Sequence, residues 1–214
     1  MDFKLDHIFV LVEPGAKSGD ILKDIGFLES FSRKHKGQGT ENRRFVFDNG
    51  MLELLYIHDP YEAEHGSAKE LKLLQRSRSS TASPFGLVFS KSQSNTSPQS
   101  KPFKGFHYQP DFFPEPMGFH IADNAKDISE PLCIYGDFIN PDESEQDPAS
   151  NGVVDSIVVS VMKGEFSPEL SAASKLAGVT VVSGSESVIE INLNGLTENK
   201  TFDLRPQLPI IINT

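Results

Sequence analysis

A chain of 214 residues, 37% hydrophobic and 23% charged, is long enough to bury a sizeable core and has the composition of an ordinary globular protein. Thirty acidic against twenty basic residues give a net charge of −10, which argues against nucleic acid as a partner, and no stretch approaches the length of a membrane span. Cys133 is the only cysteine, which excludes an intrachain disulfide and a cysteine zinc cluster.

The first segment, "MDFKLDHIFV", carries acids where a signal peptide has its basic region, so the expected location is cytoplasmic. "KLDHIFVLV" alternates and is rich in β-branched and aromatic residues, which predicts a strand. "PGAKSGDILKDIGF" predicts a short helix with Ile21, Leu22 and Ile25 on one side and Gly26 as its stop. "LESFSRKH" is a weaker strand, "KGQGTEN" a glycine-rich loop, and "RRFVFDNGMLELLYIHD" a hairpin turning at Asn49-Gly50.

Within that hairpin, Met51, Glu53, Leu55 and Ile57 share one strand face. A carboxylate amid three apolar side chains is either wet at the strand end or paired, because an unpaired buried charge costs several kcal/mol.

Residues 61–77 read as helical, 77–102 as serine-rich loop around a short strand "FGLVF", and 103–138 as aromatic-rich short strands. The acidic, proline-bounded run "INPDESEQDPASNG" is the best linker. Beyond it, "VVDSIVVSV" is a strand and "SPELSAASKLAGV" a helix capped by Ser167 with Pro168 at its first position. "TVVSGS", "SVIEINLNG" and "TFDLRPQLPIII" complete a second strand–helix–strand–strand–strand series. Asp6 matches Asp155, Ile8 matches Ile157, Val10 matches Val159, Gly26 matches Gly178, and Asn49-Gly50 matches Asn194-Gly195.

Two such βαβββ units, with "LDHIFVLV" opening the first and "GQGTENRRFVFDNGMLELLYIHD" completing it, resemble the vicinal oxygen chelate superfamily. More narrowly, the chain is similar to its glyoxalase-like domain proteins. The resemblance spans 5–59 and 152–212. It implies an α+β fold of two βαβββ modules that pair into a curled, partly open mixed β-barrel with helices outside. The modules would be residues 1–60 and 153–214, separated by a region of helix, aromatic strands and serine-rich loop (61–140) and an acidic linker (141–152). Pairing within one chain or between two leaves both monomer and homodimer open.

In that superfamily, inward side chains of the first and last strands of each module often bind a metal. Carried over, the first module supplies His7 and Glu53. In the second, Ser156 stands where His7 does, and Asp203 rather than Glu190 matches the spacing of Glu53. The resemblance thus implies a site of His7, Glu53, Asp203 and Ser156 that holds one divalent ion (Zn, Ni, Mn, Mg or Fe) through His7, Glu53 and Asp203. Glu53 and Asp203 would shuttle protons for a lyase or isomerase acting on a carbonyl-bearing metabolite. Ser156 in place of a second histidine argues against extradiol oxygen chemistry. The alternative is a metal-free binding protein, with the same polar cluster as a hydrogen-bonded network in a small-molecule cavity.

Four further residues are candidate ligand contacts. Asn42 and Arg43 either reach a substrate carboxylate or phosphate or organise their loop. His107 and His120, each in a "GFH" triplet, either line the cavity or are packed and hydrogen-bonded among aromatics. No dinucleotide fingerprint, phosphate loop, HExxH motif or nucleophile elbow is present in the sequence.

Overall fold

The computed structural model describes residues 2–92, 100–139, 151–194 and 199–214. The first strands are β1 (Phe3–Val12), β2 (Lys34–His35), β3 (Thr40–Phe47) and β4 (Gly50–Ile57), with helix α1 (Gly19–Asp24) between β1 and β2. Helices α2 (Pro60–His65) and α3 (Leu73–Arg78) flank a short 3-10 turn, so the segment read as one helix is broken in the middle, where Lys72 takes a positive φ. Strands β5 (Phe85–Lys91), β6 (Gly105–Tyr108), β7 (Phe119–Ala122) and β8 (Leu132–Gly136) follow.

These strands form one curled eight-stranded sheet in the order β2-β3-β4-β1-β5-β8-β7-β6. It has two like halves. In one, β1 runs parallel to β4 and the hairpin strand β3 leads out to β2; in the other, β5 runs parallel to β8 and β7 leads out to β6. The halves join antiparallel at β1 and β5. The half that completes the sheet around β1–β4 therefore comes from residues 85–136, not from the segment after the linker. The signal for this lies in β5 and β8, every residue of which is buried but Lys91. Strands apolar on both faces need cover on both sides, as central strands have.

The segment after the linker is β9 (Val153–Val161), α4 (Pro168–Ala173), β10 (Thr180–Ser183), β11 (Val188–Asn194), β12 (Thr201–Asp203) and β13 (Ile210–Asn213). It makes its own five-stranded sheet, ordered β10-β9-β11-β13-β12. It departs from the first module in two ways: the stretch read as one last strand is two, β12 and β13, and β13 runs parallel to β11 rather than to the opening strand β9.

Local expectations hold where a single residue dictates the backbone. Ser167 accepts a hydrogen bond from the Leu170 amide with Pro168 next in line, and Gly26 takes a positive φ just after α1; Gly178 takes one too, but five residues beyond the end of α4. The β3–β4 turn falls one residue earlier than expected, on Asp48-Asn49, because Phe47 pairs directly with Gly50. Asn49 instead holds the backbone of Val154 through two hydrogen bonds of 2.8 Å, tying the hairpin to the second sheet. Most of the acidic linker and Gly195 lie outside the described residues.

One large core fills the space between the convex face of the first sheet and the second sheet, with Ile8, Val10, Leu52, Leu54, Phe85 and Leu87 meeting Ile157, Val159, Ile189, Ile191 and Ile212. Helices α1 and α4 contribute Leu22 and Leu170 to it. The opposite, concave face of the first sheet carries Phe9, Leu11, Leu55, Ile57 and Val88, and Leu71, Leu73 and Leu74 of the helical segment cover one end of it. The other end stays open. Among the described residues no helix is long and apolar enough to cross a membrane.

Candidate functional site

The open end of the concave face is a cavity of about 590 Å³. Its two walls differ in chemistry. Strands β1 to β4 present His7, His35, Asn42, Arg44 and Glu53; strands β5 to β8 present Val88, Tyr108, Phe119, Leu132 and Ile134, with Phe112, Phe113 and Phe138 from the adjoining loops. Phe113 is the hub of the aromatic side, its ring centre 4.8–5.6 Å from those of Phe112, Phe119 and Phe138.

Glu53 is in the middle of the polar wall and only 6% exposed. Asn42 donates its side-chain amide to Oε1 of Glu53. The two Glu53 oxygens each face an imidazole: Nε2 of His7 lies 3.8 Å from one, and Nε2 of His35 lies 3.9 Å from the other. Both gaps exceed a direct hydrogen bond. Glu53 is thus paired rather than wet, and the acid in the apolar strand is explained by three polar neighbours on β1, β2 and β3.

A β-bulge places the partner of His7. Leu5 pairs with Phe89 and His7 with Val88, leaving Asp6 as the extra residue, and its carboxylate meets Nδ1 of His7 at 2.6 Å. Burial works against a charge on His7, but the hydrogen bond and charge of Asp6 and the charge of Glu53 outweigh it, so its pKa lies above the ordinary imidazole value. His35 goes the other way. Burial lowers its pKa, and nearby Arg44 and Arg33 add to that against the pull of Glu53. Its Nδ1 meets the Thr40 hydroxyl at 3.0 Å, which also accepts from Gln38, and Tyr108 donates to Gln38.

Asn42 organises the chain around it. Its side-chain oxygen accepts from the Arg33 amide at 2.7 Å, fixing the short strand β2, while its amide nitrogen reaches Glu53. Arg43 does not enter the cavity. Neighbouring residues of a strand face opposite ways, and Arg43 projects from the other face to bind Glu29, Asp20 and the Ala16 carbonyl. Arg44, which pairs across the sheet with Glu53, lines the cavity, as Arg33 does, and its guanidinium is 3.9 Å above the ring of Phe31. The glycine-rich loop does not hold a ligand anion, because the Glu62 carboxylate already accepts from Gly37 and Gly39 at 2.8 and 2.9 Å.

The remaining expected site residues lie elsewhere. Asp203 is exposed on β12 of the second sheet, where Arg205 binds it and holds its pKa at about 2. Ser156 and Glu190 are also in the second sheet, accepting hydrogen bonds from Asn192 and Asn213. His107 is exposed on β6. His120 is packed against Phe103, with its Nε2 3.0 Å from the Phe103 carbonyl oxygen. The structure therefore unites His7, Glu53 and Asn42 and separates them from Ser156, Asp203, Arg43, His107 and His120. It adds Asp6, His35, Arg44 and Gln38. Arg43 is the arginine expected from the sequence, although strand alternation puts Arg44 on the same face as Asn42; nothing in "SRKH" marked His35.

The residues present do not fit the expected metal set. With Asp203 in the other sheet and an apolar wall opposite Glu53, no group of three or more His, Cys, Asp or Glu among the described residues is placed to hold a metal ion.

No family model matches this chain, and neither does any curated protein. A methylmalonyl-CoA epimerase structure, in complex with methylmalonyl-CoA and NH4+, is 12% identical, covers 63% of this chain and 94% of its own, and has a TM-score of 0.39, too low to carry an argument. A hypothetical protein from Staphylococcus aureus is 13% identical and covers 100% of this chain and 98% of its own at a TM-score of 0.57, so the fold, second sheet included, is shared with that protein.

Proposed function

We propose that this chain is a glyoxalase-like protein that binds, without a metal, a small molecule with an apolar or aromatic body and a polar head. The observation that carries the reading is the division of the cavity. Glu53, His7, His35, Asn42 and Arg44 offer hydrogen bonds of both kinds on one wall, and Val88, Ile134 and four phenylalanines face them. A concave, mostly apolar space with a few convergent polar groups is the usual form of a small-molecule site. A hydroxyl or carbonyl head fits between Glu53 and the two imidazoles, and the ring or chain behind it fits against Phe113 and Phe119.

A second reading, a lyase or isomerase acting on a carbonyl-bearing molecule, is favoured by one feature. Glu53 stands between two imidazoles whose pKa values shift in opposite directions, which is how acid and base roles are divided in proton-transfer sites.

A thermal-shift screen of small aromatic and carbonyl-bearing compounds tests the proposal. A bound ligand at about 100 times its Kd adds about 2.7 kcal/mol of stability. The rise should survive a chelator, weaken in Glu53→Gln and vanish in Val88→Phe, which fills the apolar wall. One divalent ion per chain in the purified protein, released by Glu53→Ala, would overturn the metal-free reading.

A further inference from the structure

We propose that Asp6 is a positioning residue for His7, holding the imidazole with its proton on Nδ1 so that Nε2 faces the cavity as a proton acceptor for the bound molecule. The inference rests on the cavity being the ligand site and adds the kind of ligand it takes: one with an acidic proton, on a hydroxyl or on a carbon beside a carbonyl.

Three observations meet here. The bulge that makes Asp6 the extra residue of β1 turns its carboxylate alongside His7, where regular alternation would put it on the opposite face of the sheet. The 2.6 Å contact to Nδ1 is the geometry of a charge-assisted hydrogen bond, and it occupies the nitrogen that points away from Glu53. The free nitrogen, Nε2, then lines the cavity without a direct hydrogen bond, 3.8 Å from Glu53.

The second sheet provides an internal comparison. In β9 the same bulge recurs, since Asn192 pairs with Ser156 and Leu193 with Val154, leaving Asp155 extra. There the aspartate is bound by Asn194 and its neighbour is a serine. The bulge belongs to this type of strand; the imidazole oriented by it belongs to β1.

In the step itself, the O–H or C–H bond of the ligand breaks, its electron pair stays on the ligand, and an Nε2–H bond forms. The Asp6 carboxylate stabilises the imidazolium that results, as the carboxylate of a hydrolytic triad does for its histidine. Glu53, Arg44 and His35 are the other charged or titratable groups around His7.

The test is a long-range ring nitrogen–proton correlation spectrum of the uniformly nitrogen-15-labelled full chain, recorded above the imidazole titration range. Wild type should show His7 with its proton on Nδ1. Asp6→Asn, whose side-chain oxygen still accepts, should keep that tautomer. Asp6→Ala should move the proton to Nε2 and leave the His35 signals and the backbone amide spectrum unchanged. A wild-type proton on Nε2, or a tautomer unmoved in Asp6→Ala, overturns the proposal. Should Asp6→Ala not fold, wild type and Asp6→Asn decide the matter. None of these spectra requires a ligand, so their failure is separate from failure of the binding screen.

Discussion

Asn42 and Glu53 sit on neighbouring antiparallel strands, two residues out of register, and the amide of one is hydrogen-bonded to the carboxylate of the other inside the cavity wall. The bond joins the part of the site that organises β2 to the part that faces a ligand. Asn42→Ala leaves Oε1 of Glu53 without its donor in a buried place and should cost about 1–3 kcal/mol. The double variant Asn42→Ala with Glu53→Leu should recover much of that, because removing both partners removes the unsatisfied group as well. Urea unfolding of the single and double variants measures the coupling; additive losses would contradict it.

Glu130 is the other buried acid with a structural role. It is fully buried and accepts from Lys163 at 2.8 Å and from the backbone and hydroxyl of Ser167, tying the loop before β8 to the start of α4. Asp127 shares Lys163 at 2.5 Å. Burial works against both charges, yet the bonds from Lys163 and the serines outweigh it, so both pKa values fall, that of Asp127 to about 2. A depressed carboxylate stabilises the fold above its unfolded value, and that stability is lost as pH falls through the folded value. The loss should therefore run from just above pH 4 down to about pH 2, between the ordinary values and the shifted ones. Lys163→Met should cost about 1.5–3 kcal/mol at neutral pH, as for a hydrogen bond to a charged group, and flatten this acid dependence. Unfolding free energies at a series of pH values would show an unchanged slope if Lys163 were not the partner that matters.

Cys133 lies in the core on β8, fully buried, and burial together with the charge of Glu130 pushes its thiol up to about 12. A thiolate is the reactive form, so the native protein should resist thiol reagents. Labelling should proceed only through global unfolding, with a rate that follows urea concentration. Rapid labelling without denaturant would place the thiol at the surface.

Gly39 and Gly15 both have positive φ, and they allow the backbone and contact terms to be separated. A Cβ on Gly15 meets nothing within 4 Å, whereas one on Gly39 comes to 2.4 Å from the Asp59 carbonyl and the Ala63 amide. Gly15→Ala should cost the left-handed backbone penalty alone, about 1–2 kcal/mol. Gly39→Ala should cost more than that and loosen the His35 side of the cavity, since the Glu62 clamp on the loop is displaced. Equal losses in thermal or urea unfolding would show that the loop moves aside freely.

Much of the local structure was legible because it depends on near neighbours in the chain. Alternation marked β1, β4 and β9, the Ser167-Pro168 pair marked the start of α4, and Gly26 marked the end of α1, each by a steric or hydrogen-bonding rule that acts within a few residues. The match of Asp6 with Asp155 was also real, as both are bulge residues. Site residues were legible to the same extent: His7, Glu53 and Asn42 share the inward faces of adjacent strands.

What the chain order could not convey was which strands lie side by side. The choice of β5 over β9 as the antiparallel neighbour of β1 rests on burial of both faces of β5 and β8, a property of the assembled sheet. That one decision removed Asp203 and Ser156 from the cavity and supplied Val88, Phe119 and Ile134 in their place, while the short edge strand β2 brought His35 to Glu53. By itself the sequence determined the strands, their inward faces and an acid that needed partners; only the tertiary structure decided the partners, because pairing and burial are set by contacts between residues distant in the chain.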